Sequence, residues 1–136
     1  MGDVSKNTKY GYAREVQMTY AEAVEKVTET LKEQGFGILT EIDVKATLKK
    51  KLDQDFTDYI ILGACNPNLA FRALSSEIDI GLLLPCNVAV YRRPEDGTTV
   101  VSVLDPELME SMTGNPALKP IAQEARDKVV AALEAV

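Results

Sequence analysis

Tyr59 to Ala64 is a continuous apolar run, closed by Cys65-Asn66-Pro67. Six residues are too few for a helix of ordinary length, and an uninterrupted apolar run leaves no face for water. The segment therefore reads as a buried strand. A strand of that kind forces the rest of the chain to supply neighbouring strands and amphipathic cover.

The cover is written in helical stripes. Thr19 and Glu22 make a capping box, and Tyr20, Val24, Val27 and Leu31 follow on one face until Gly35 stops the helix. Asp43 is placed to cap a shorter helix with Val44, Leu48 and Leu52 on one side. Its other side carries Lys45, Lys49, Lys50 and Lys51, a solvated face matched to the helix dipole rather than a phosphate site. Asn66-Pro67 opens a third helix bearing Leu69, Ala70, Ala73 and Leu74. Asp105-Pro106 starts a helical turn with Leu108, Met109 and Met112, which Gly114-Asn115-Pro116 breaks. The two methionines read as core filler. A last helix shows Leu118, Ile121, Ala122, Ala125, Val129, Ala132, Leu133 and Val136; Pro120, which belongs in a first turn, leaves its start open.

Strands fill the intervals. Alternation from Tyr10 to Met18 gives one, and Phe36, Ile38 and Ile42 share a face of another, with Thr40 as the exception. Leu82–Tyr91 and Thr99–Leu104 are joined through Pro94-Glu95-Asp96-Gly97 as a hairpin. Pro85 falls inside the first of these and removes a ladder donor. The expectation is an edge strand or a bulge there, with Cys86 turned out of regular alternation. The order of elements gives an α+β fold, an antiparallel sheet with helices packed on it. At 136 residues the chain is one domain, 10–136, preceded by a flexible arm, 1–9.

Composition narrows function. Histidine is absent, which removes Ser-His-Asp and Cys-His catalysis and every His-ligated metal. Fifteen basic against 21 acidic residues give −6, so a nucleic-acid partner or an anionic membrane surface is not expected. No apolar run approaches a membrane span, and the polar start lacks a signal-peptide core. Lys6 stands where a myristoylation site needs Ser or Thr. The expectation is a cytoplasmic protein whose two cysteines are reduced.

Those cysteines sit in Cys65-Asn66-Pro67 and Pro85-Cys86-Asn87. Cys65 stands at the junction of a buried strand and a helix N-terminus, where free N–H groups and the dipole favour a thiolate. Cys65, Asn66, Cys86 and Asn87 are the candidate binding set, with thiols for a soft metal or small ligand and amides for orientation. Three other readings stay open: inert buried thiols, a disulfide, and a redox pair with Cys65 as nucleophile and Cys86 as resolving thiol. Gly35-Phe36-Gly37 lacks the third glycine of a dinucleotide fingerprint and follows a helix, so it reads as a helix stop. Glu41 and Asp43 are two apart on a strand, but Asp43 is better used as a cap than as an acid or base. Nothing here compels an enzyme.

Phe36-Gly37-Ile38-Leu39-Thr40-Glu41-Ile42-Asp43-Val44, Gly63-Ala64-Cys65-Asn66-Pro67, Gly81-Leu82-Leu83-Leu84-Pro85-Cys86-Asn87-Val88 and Asp105-Pro106, in that order, resemble the domain-of-unknown-function family 302. The resemblance runs from about Tyr12 to the C-terminus. It implies a β-α-β(4)-α core like that of the TATA-binding-protein fold group and a tendency to homodimerise. It implies no activity, and a fold shared with a DNA binder carries no DNA function. Taken together, the expected protein is a homodimeric binding module for a small ligand or soft metal. The alternatives are a structural or regulatory dimer and a thiol-based redox protein. A Pro85-interrupted strand exposing an apolar edge would support the dimer.

Overall fold

Local signals and the elements they predict coincide over most of the chain. The computed structural model describes residues 2–6 and 8–136. β1 (Gly11–Val16) leads into α1 (Tyr20–Glu33), where Thr19 accepts from the Glu22 N–H and the Glu22 carboxylate accepts from the Thr19 N–H. Gly35, at φ 85°, ends the helix in a conformation that a side chain would resist. β2 (Gly37–Asp43) then runs into α2 (Val44–Leu52), capped by the Asp43 carboxylate on the Ala46 N–H at 2.9 Å. Two of the four α2 lysines face acidic groups: Lys45 pairs with Asp58, and Lys49 with Asp53 and Asp55. β3 (Tyr59–Cys65), α3 (Pro67–Ser76) and a 3-10 segment (Ile78–Leu83) follow. They lead to the hairpin of β4 (Cys86–Arg92) and β5 (Thr99–Leu104), then α4 (Leu108–Thr113). A single 3-10 turn, Pro116–Leu118, precedes α5 (Lys119–Glu134), so Pro120 does stand in a first turn.

The five strands form one antiparallel sheet in the order β1-β5-β4-β3-β2. One face is closed by α1, α3 and α5. Leu62, Val88, Val90 and Val101 meet Val27, Leu31, Val129 and Leu133 there, and all are essentially inaccessible. The opposite face is a single layer, on which the rings of Tyr59 and Tyr91 stack at 5.2 Å. Arg14 fixes β1 to the end of α5 by donating to the main-chain oxygens of Leu133 and Val136 at 3.2 and 3.0 Å. Its Nε donates to the Gly2 carbonyl at 2.8 Å. The segment expected as an arm also bridges Ser5 to Ala13 and pairs Lys6 with the buried Asp105 at 3.0 Å; Met1 and Asn7 lie outside the described residues.

Five expectations about strands are corrected. Leu82–Tyr91 is not one strand: Leu82 and Leu83 belong to the 3-10 segment, and β4 begins at Cys86. Pro85 needs neither a bulge nor an edge, because it stands immediately before the ladder and no donor is missed. β4 is central, paired on both sides, and Cys86 keeps regular alternation opposite Ala64. The apolar edge that Pro85 would have exposed is therefore not there; the sheet edges are β1 and β2. The irregularity lies in β2, where register shifts between Ile38 and Thr40. That extra residue puts Ile38 opposite the core residue Ala64 but Ile42 opposite Ile61, on the other face, where Ile42 is half exposed.

Candidate functional site

Cys65 is the last residue of β3 and Cys86 the first of β4, one step apart along adjacent antiparallel strands. Cys86 lies opposite Ala64, and Cys65 opposite Gly37 on the other side. Both are free thiols and partly buried. Burial pushes the Cys86 thiol up to about 11, and the neighbouring Cys65 adds in the same direction.

Both line one small cavity of about 30 Å³ between the sheet and α3, with Ala64, Leu69, Ala73 and Leu84 among its walls. Asn66, Pro85 and Met109 also line it. That volume holds one water or one ion and no organic cofactor. A wider, open cleft of about 820 Å³ lies beside Met18, Tyr20 and Arg92 and contains neither thiol. Both cysteines are among the residues that line the small cavity, Cys86 on the helix-covered face with Ala64 and Cys65 one residue further along β3, where alternation turns its side chain toward the other face.

The two asparagines part company. Asn66 caps α3, accepting from the Leu69 N–H at 3.2 Å, and its amide nitrogen donates to the Gln34 carbonyl at 3.4 Å. A side chain on Gly35 would meet that same nitrogen at 3.0 Å, so Asn66 joins the end of α1 to the start of α3. Asn87 lies opposite Gly63, faces away from the cavity and is exposed. Thus three of the four candidate residues share the cavity and Asn87 does not. The free N–H groups expected beside Cys65 are few: Pro67 has none, and Leu69's is taken by Asn66.

Sequence reasoning missed Met109. Met109 and Met112 share α4, but Met109 is 6% exposed and walls the cavity while Met112 is 66% exposed. Their spacing told nothing about which of them turns inward. Among the described residues no group of three His, Cys, Asp or Glu side chains is placed to hold a metal. Among those residues, too, no helix is long and apolar enough to cross a membrane.

The chain is similar over 93% of its length to a solved structure, "Crystal structure of uncharacterized conserved protein DUF302 from Bacillus stearothermophilus". Identity is 35%, the TM-score is 0.85, and the match covers 97% of that chain. No curated protein matches it. The model of the family described as "Domain of unknown function DUF302" matches residues 12–136, and with nearly the whole chain so covered, the protein belongs to the DUF302 family.

Proposed function

We propose that the protein is a binding module that holds a single soft metal ion between the thiols of Cys65 and Cys86. What supports this reading is that both cysteines are among the residues lining one cavity of about 30 Å³ whose walls are mostly apolar. Soft thiol donors select soft ions, and an ion is the size of ligand that the space accepts. Each thiol gives its proton to water as the ion binds, which offsets part of the affinity at Cys86, where burial favours the neutral form.

Competition for Cu(I) against a chromophoric chelator, under anaerobic conditions, tests the reading. One equivalent should be retained by the wild-type chain and lost in both Cys65→Ser and Cys86→Ser. Retention by either variant, or none by the wild type, overturns it.

A further inference from the structure

We propose that residues 2–6 are a removable guard over the outer edge of β1, locked by the Lys6–Asp105 ion pair, and that the bared edge pairs with β1 of a second copy. This goes beyond the metal-binding reading and does not rest on it. The segment precedes residues 12–136, the part that the family model matches.

The two sheet edges are protected in different ways. β2 carries a register shift between Ile38 and Thr40 and the exposed carboxylates of Glu41 and Asp43, features that deter strand pairing. β1 has neither a bulge nor a proline, and all six of its residues pair in register with β5. Its outward main-chain groups are taken by the chain's own residues. Ser5 and Ala13 exchange both N–H···O bonds, at 2.9 and 2.8 Å, and the Gly2 N–H donates to the Glu15 carbonyl at 2.9 Å. What covers this edge is extended backbone, so an extended strand is the kind of partner it accepts.

One ion pair fastens the guard. Lys6 Nζ lies 3.0 Å from Asp105, whose side chain is 3% exposed against 48% for Lys6. A carboxylate so buried makes its cation costly to lose. Asp105 is itself fixed, since its other oxygen accepts from the Glu107 N–H at 2.9 Å. Val4, partly buried, and Arg14, at the Gly2 carbonyl, are the other holds. A second copy fits the edge once it is bare. Antiparallel pairing about Ala13 sets Ala13 against Ala13, Tyr12 against Arg14 and Gly11 against Glu15, with no like charges opposed. Ala13 then offers its twin the N–H and carbonyl that Ser5 now occupies.

Lys6→Gln and Asp105→Asn each remove one charge of the lock, and the second leaves no unpaired carboxylate in the interior. Lys6→Arg, which keeps the charge, is the control. Amide exchange at Ser5 and Ala13 reads the guard, exchange at Val90 in central β4 reads the fold, and sedimentation reads association. At low concentration both neutralised variants should exchange at Ser5 and Ala13 at least about tenfold faster, with Val90 unchanged. Raising the concentration should give a dimer in which Ala13 is protected again, where the wild type and Lys6→Arg gain none. Unchanged exchange at Ser5 and Ala13 in both variants overturns the lock. Faster exchange without association, or association that leaves Ala13 unprotected, overturns the pairing of β1 with a second copy.

Discussion

Pro85 closes over Gly63: a Cβ on Gly63 would stand 2.8 Å from the proline Cγ, and closer still to the Thr40 hydroxyl. Gly63 is opposite Asn87 in β4 and beside Ala64, so its missing side chain is what lets Pro85 lie on the sheet next to Cys86. Gly63→Ala should cost about 1–3 kcal/mol, the range for forcing a methyl group into filled space. It should also change the labelling rate of Cys86 relative to Cys65. Denaturant unfolding and thiol mapping check both parts.

Arg14 donates to the main-chain oxygens of Leu133 and Val136, at and just past the end of α5, together with the Gly2 carbonyl. Charge-assisted bonds of this kind contribute about 1.5–3 kcal/mol where buried, and Arg14 is partly exposed, so Arg14→Ala should cost about 1–2 kcal/mol. Arg14→Lys should recover only part of it, since an ammonium cannot span the same set of acceptors. Chemical denaturation gives the ranking. Equal stability of all three chains would dismiss the clamp.

Cys86 gives a pH dependence with a definite sign. Its pKa rises from the usual 9.0 to about 11. Between those values the folded chain keeps a proton that the unfolded chain loses, so stability is full below pH 9 and falls as pH rises toward 11. Tyr20 and Tyr91 are raised by burial as well and add in the same sense. The difference between wild type and Cys86→Val isolates the thiol and should reach on the order of 2 kcal/mol. In the same window, alkylation of Cys86 should accelerate about tenfold per pH unit. A difference curve that is flat from pH 8 to 11 contradicts this.

Asn66 and Asn87 follow a cysteine in the same way and should behave oppositely. Asn66→Ala removes the α3 cap and should cost about 1 kcal/mol, with most of it restored by Asn66→Asp. Asn87→Ala, on an exposed position of β4, should change stability by less than about 0.5 kcal/mol. Thermal unfolding of the three variants separates them.

What the sequence made legible was local. The Thr19–Glu22 box, the Asp43 and Asn66 caps and the Gly97 turn are each decided within a few residues, and each stands where its pattern puts it. Pro85 was harder, because a missing donor is equally well tolerated at an edge, in a bulge or just ahead of a strand. Only the sheet order distinguishes these, and the sheet order is set by distant segments. The bulge in β2 left no mark in its residues, so the face of Ile42 came out reversed. At the candidate site the cysteines could be picked out as chemistry, but their lining of one cavity depends on the pairing of β3 with β4. Met109 enters only when α4 is laid over the end of that pair.

The strand order also sets a timetable. β2, β3, β4 and β5 pair with their neighbours in the order in which they are made, whereas the one strand that β1 pairs with is β5, beyond its bridge to Ser5. A chain leaving the ribosome therefore carries its first strand without a ladder until Leu104 has followed it, and closing that long loop costs entropy before any contact repays it. Arg14 adds a second delay, since the acceptors it clamps lie later still, at the end of α5. The first strand synthesised is the one whose ladder partner is made last.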